Sequence, residues 1–180
     1  MILDKLLTFS GGLGGAADQQ DSPTTGTQVA SNIIDLGVIS GIPSSANGGG
    51  ARDIGTGDDP AMKLSAIVTV AFASGTSIAL ELSGAPDNGL GLPGSYTVMW
   101  QSPAAVVEAS LVAGMQLANV DMPRPAPGQV MPRFLRLRYI TVGTHTAGAL
   151  EAQIVLDRDD QVVGDTGLYS GYPAGLTVAN

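Results

Sequence analysis

The feature that most constrains this chain is how its apolar residues are punctuated. From Leu64 onward, short runs rich in Val, Ile, Leu and Ala alternate with polar residues at period two, and glycine or proline stands between successive runs. A period of two puts alternate side chains on opposite faces of an extended strand. No segment sustains a 3.6-residue apolar period for more than two turns. The chain therefore reads as all-β.

The individual strands follow from that alternation. Leu64, Ala66, Val68, Val70 and Phe72 form one inward-facing row, and Ile78, Leu80 and Leu82 form a second. Three shorter strands are expected over 96–101, 106–111 and 115–120. Phe134 to Val142 is the strongest: Leu135, Leu137 and Tyr139 point one way, and Arg136, Arg138 and Ile140 the other. Leu150, Ala152, Ile154 and Leu156 form the last row. The Gly143–Gly148 turn makes 134–142 and 150–156 the best hairpin in the sequence. The expected core is Val68, Val70, Leu80, Leu135, Leu137, Ile154 and Leu156. About eight antiparallel strands in one domain of this size suggest a jelly-roll-like sandwich with an extended N-terminal arm and long loops.

The arm is residues 1–28. Leu3, Leu6, Leu7 and Phe9 can serve as one apolar anchor, but Gly11-Gly12-Leu13-Gly14-Gly15 breaks any helix there. Such a segment orders most readily against a neighbouring subunit, so these four residues are partner-binding candidates. Residues 29–180 form the sandwich, interrupted by a loop at about 37–61. Loops of that length in a compact domain usually work as binding elements.

Composition narrows the function. Charged residues are only 13% of the chain, which suggests surface hidden against partners. The net charge of −8 argues against nucleic acid or an anionic membrane as partner. There is no cysteine and one histidine, so zinc, Cys–His and multi-His sites lack ligands. His145 lies in a Thr/Gly turn, where a solvated side chain is expected. The glycine runs lack the Lys-Ser/Thr of a phosphate-binding loop. Asp53, Asp58 and Asp59, and Asp157, Asp159 and Asp160, do not match the spacing of a calcium-binding EF-hand loop and read as solvated turns. No catalytic, cofactor or metal site is expected. The N-terminus has neither the basic start nor the long apolar run of a secretory signal, and no stretch is long enough to span a membrane. The protein is expected to be made in the cytoplasm.

The charge pattern says more than the motifs. Arg124, Arg133, Arg136 and Arg138 are half of the eight basic residues, and no acid lies between the first and the last. Arg133, Arg136 and Arg138 are read as a docking stripe for a partner's carboxylates or backbone.

Several segments resemble the capsid cement, or decoration, protein family of short-tailed and related tailed phages. They are Met1-Ile2-Leu3-Asp4-Lys5, Ser31 to Gly37, Arg52-Asp53-Ile54-Gly55-Thr56-Gly57, Arg133 to Tyr139, Thr146-Ala147-Gly148 and Tyr172-Pro173. Their order along the chain carries the resemblance. It implies a jelly roll on the outer face of a virion shell, with a major capsid protein of HK97-like fold as partner and no enzymatic activity. It also implies self-association, for which a homodimer is favoured over a trimer. The glycine-rich stretches 11–15 and 41–50 depart from the family as insertions. The competing reading is a carbohydrate-binding jelly roll on a virion or cell surface. Its aromatic platform would be Tyr96 and Trp100, placed on one strand face by their separation of four.

Overall fold

A computed structural model describes residues 7–11, 20–21, 26–37, 62–123 and 132–156. The strands are β1 (Thr8–Ser10), β2 (Gln20–Asp21), β3 (Gly26–Val29), β4 (Ile34–Asp35), β5 (Met62–Ala73), β6 (Ser77–Ala85), β7 (Thr97–Gln101), β8 (Val106–Val107), β9 (Gln116–Asp121), β10 (Phe134–Val142) and β11 (Ala147–Leu156). One sheet runs β1-β11-β5-β9 and the other β3-β10-β6-β7. The two-residue strands β2, β4 and β8 extend the borders of β11, β10 and β6. All pairings are antiparallel.

Numbered by their eight principal strands, the sheets read 1-8-3-6 and 2-7-4-5. That is one long antiparallel hairpin wound into two layers, the jelly roll expected from sequence. Its tip is the connection between β6 and β7. The winding also sorts the connections. Those after β1, β5, β7 and β10 lie at one end of the roll; those after β4, β6 and β9 lie at the other.

The core fills the space between the layers. Ile78, Leu80, Leu82, Leu135, Leu137 and Tyr139 face Leu64, Ala66, Val68, Phe72, Leu150, Ala152 and Ile154, and all are buried. The buried Tyr139 hydroxyl donates to Ser10 Oγ at 2.8 Å, joining the second sheet to the first. Burial pushes this phenol's pKa up, and the bond to Ser10 opposes the rise.

Several sequence expectations need correction. β10 and β11 are not a hairpin: β10 pairs with β6 and β11 with β5. Alternation shows that each strand has an apolar face, but not whether two such strands lie side by side or face each other. Val70 is 49% exposed rather than core. Two bulges put two extra residues into β5 between Val68 and Ala73, resetting its parity. The Leu156 side chain lies outside the described residues. The boundary expected after residue 28 falls inside β3, and β1 and β2 border β11. The strand expected over 106–111 ends at Val107, and Glu108–Ser110 forms a 3₁₀ turn.

Two tight corners, Ser74–Thr76 and Gly143–Thr146, carry the chain from one sheet to the other. The Thr76 amide donates to the Val142 carbonyl at 2.8 Å, and the Thr146 amide to the Ala73 carbonyl at 2.9 Å. His145, expected in solvent, is 2% exposed. Its ring meets Phe72 edge-on at 5.2 Å, and neither ring nitrogen has a hydrogen-bond partner among the described residues. The ring lies against Gly75, where an added Cβ would come within 1.9 Å of His145 Cε1. Gly75→Ala is therefore expected to lower unfolding stability by about 2 kcal/mol or more. Adding His145→Ala should recover part of that loss, because the clash is shared between the two sites. Urea denaturation of the single and double variants tests this, and strictly additive losses would refute the contact.

Candidate docking surface

The three arginines of the expected stripe lie at or on β10, and Arg136 and Arg138 share its outer face as period two requires. Arg133 and Arg138 are paired with carboxylates, whereas the buried Arg136 Nε has no hydrogen-bond partner among the described residues. Arg138 Nε donates to Glu81 Oε1 at 2.8 Å, and its Nη2 reaches the same oxygen. Register dictates the pair, because Arg138 stands directly opposite Glu81 on β6. Glu81 is buried and also accepts from the Ser83 hydroxyl at 2.9 Å. The guanidinium of Arg136 lies 3.7 Å from the Tyr96 ring centroid, a cation–π stack. Desolvation pushes the Tyr96 hydroxyl's pKa up, with the Arg136 charge pulling against it.

Arg133 joins two segments distant in sequence. Its Nε and Nη2 fork onto both oxygens of Asp35 at 2.8 and 2.9 Å, while Nη1 donates to Asp87 Oδ2. The Leu36 amide donates to the Arg133 carbonyl at 2.8 Å, and the guanidinium sits 4.9 Å from the Phe134 ring centroid. This clasp ties the end of β4, the start of β10 and the β6–β7 loop together at one end of the roll. The hydrogen bond from Arg133, opposed by desolvation and aided by the Gly37 amide, holds Asp35 below the ordinary carboxylate range. At Asp87 desolvation pushes upward, but the amides of Gly89 and Gly91 together with Arg133 outweigh it, so its pKa is also lowered.

The clasped loop, residues 86–94, is built from its own sequence. Asp87 Oδ1 accepts from the amides of Gly89 at 2.7 Å and Gly91 at 3.0 Å, and Asn88 Oδ1 accepts from the Leu90 amide at 2.8 Å. Asn88 N–H donates to Leu92 O at 2.9 Å, and Gly94 N–H to Pro86 O at 2.8 Å. Gly89 and Gly91 take positive φ angles of 89° and 76°, which side-chain-bearing residues avoid. The loop displays Leu90 at 82% exposure and Leu92 at 58%. The run Pro86-Asp87-Asn88-Gly89 by itself signals no more than a turn. Two leucines inside a glycine-rich turn, with no strand to bury them, were the available signal.

The other expected partner-binding residues divide. Phe9 is fully buried in the domain's own core, so it is not an exposed anchor; an edge strand that carries an aromatic inward adds it to the sandwich. Leu7 is half-buried against the same core. Leu3 and Leu6 lie outside the described residues, as do both Asp clusters. The aromatic platform for sugar does not form. A bulge at Met99 resets the parity between Val98 and Trp100, Trp100 packs on the core, and the Tyr96 ring is covered by Arg136. Among the described residues no group of acids and histidines is placed to hold a metal ion, and no helix is long and apolar enough to cross a membrane.

Residues 18–154 match the model of the Bbp16 family. The chain belongs to the Bbp16 family. The Bbp16 match runs from just before β2 to within β11, so it spans both layers and the clasp. Bbp16 is a phage-associated family. No curated protein matches the chain.

Two outcomes are expected of this surface. Arg138→Ala strands the buried Glu81 carboxylate and should cost about 2 kcal/mol in urea denaturation. Replacing both Glu81 and Arg138 by Met should cost less than the single change, since no charge is then left buried. The clasp predicts a response to acid. Asp35 and Asp87 titrate lower in the folded chain than in the unfolded one, where the value is about 3.9. Their contribution is thus present above about pH 4 and is lost as pH falls through their folded values. Arg133→Gln should lower the urea midpoint at pH 6 and flatten its decline from pH 4 to pH 2. An unchanged acid slope would show that the clasp does not set it.

Proposed function

We propose that this chain is a non-enzymatic decoration protein, bound to the outside of a phage capsid, where it cements neighbouring shell subunits. The major capsid protein, of HK97-like fold, is its partner, and copies of the chain associate with one another, as a homodimer in preference to a trimer. The observation that carries the reading is a Bbp16-family jelly roll whose long connections leave from one clasped end. A cement subunit needs a rigid body with its contact elements held in fixed relation, and it needs no reaction centre. Many copies on a symmetric shell make modest individual contacts effective.

The test is direct. Purified protein is mixed with undecorated heads of its parent phage and sedimented. Saturable co-sedimentation is expected, together with a raised temperature of head disruption. Absence of binding to both compact and expanded heads would reject the cement role.

A further inference from the structure

Exposed apolar residues scattered singly need no explanation, but here they gather on one face. Nine large apolar side chains are exposed among the described residues, and four of them, Val29, Val98, Val107 and Val142, stand on the outer face of the second sheet. Register puts them there. Val29 is opposite Arg138 on β10, and Val98 is opposite Ser83 on β6. Val107 and Val142 flank Ser77 from its two sides. Ile140 and Ala79, themselves opposite each other, lie between these valines. From Arg136 to Val142 this face carries one acid among the described residues, Glu81, and it is bonded to Arg138. Arg136 is stacked on Tyr96. We propose that this face docks a second copy of the chain, outer sheet against outer sheet about a two-fold axis. The proposal rests on the self-association in the functional reading and adds to it the surface that makes it.

Charge selects this occupant. The chain as a whole carries −8, and two such bodies repel on approach. A partner of different sequence can meet those acids with bases. A second copy cannot, because in a two-fold contact each patch meets itself. Self-association therefore needs a surface whose acids are few and already paired. This face is such a surface: Glu81 and Arg138 cancel, and Arg136 leaves it opposite in sign to the rest of the chain. Each copy thus meets the other with its least repulsive side. The valines are β-branched, so little rotamer freedom is lost when they are covered. Area sets the strength. Four strands about 4.8 Å apart, over the span from Arg136 to Val142 at about 3.3 Å per residue, give a footprint on the order of 400 Å². That is about half of the roughly 800 Å² that each partner buries in a standard interface. The pair is weak in solution and fully formed where copies are concentrated on a shell.

The experiment is sedimentation equilibrium of the full chain over a concentration and salt series. Wild type should pass from monomer to dimer as concentration rises, and more readily at high salt, where the repulsion between copies is screened. Val107→Glu/Val142→Glu should associate at least roughly 10-fold more weakly. Val107→Thr/Val142→Thr, which keeps the side-chain shape and adds no charge, should associate severalfold more weakly. Val70→Glu/Val112→Glu places the same two charges off this face and should match wild type once salt screens them. All these positions are exposed, so circular dichroism and urea midpoints should be unchanged. Wild-type dimerisation equalled by both the Glu and the Thr variants overturns this face and leaves self-association intact. A wild-type chain that stays monomeric throughout overturns the face and self-association together. Unchanged dimerisation with loss of binding to undecorated heads assigns the valines to the shell and overturns the second copy as occupant.

Discussion

The fold depends on the two tight corners at which the chain leaves one sheet for the other. Each layer has one apolar face, and neither is stable until the other covers it. The corners at Ser74–Thr76 and Gly143–Thr146 impose that arrangement, and they are bonded to each other through Thr76–Val142 and Thr146–Ala73. The His145 ring occupies the space that a side chain at Gly75 would need. With both corners locked, β6 and β10 fall in one layer and β5 and β11 in the other. The rows from Leu64 to Phe72 and from Leu135 to Tyr139 then face each other. The bond from Tyr139 to Ser10 adds the first strand to an arrangement already determined.

The opposite end of the roll is organised by charge. Its bonds are few but well chosen: a guanidinium is planar and always ionised, and its fork matches a carboxylate. Each of the three Arg133 guanidinium nitrogens donates to Asp35 or Asp87, and so holds two connections at a fixed separation. Arg138 neutralises a carboxylate inside the sheet surface, and Arg136 covers a ring. Three residues of the basic island thus make contacts within the domain itself.

The layers were legible in the sequence because period two is a local property. Leu80, Leu82, Leu135, Leu137 and Ile154 needed only their own neighbours to be placed. Val70 was misjudged because a bulge is a relation between two strands, invisible in either alone. His145 looked like a loop residue because nothing nearby says that Gly75, seventy positions earlier, lies against it. The arginines looked free because Asp35, Glu81 and Asp87 are remote along the chain. Register, which sequence does not display, made them partners.

The winding has a consequence for how the chain comes together. β1 pairs with β11, so its partner is the last of the described strands to be made. Contacts this distant along a chain form slowly, because a large loop must close before any bond rewards it. Until β11 appears, Phe9 has no interior to enter and the first strand waits unpaired. The connection between β6 and β7 is the opposite case, closing over a few residues with bonds that it supplies itself. Local closure thus favours assembly outward from the tip, and the β6–β7 loop is among the parts least dependent on the rest of the chain for its form.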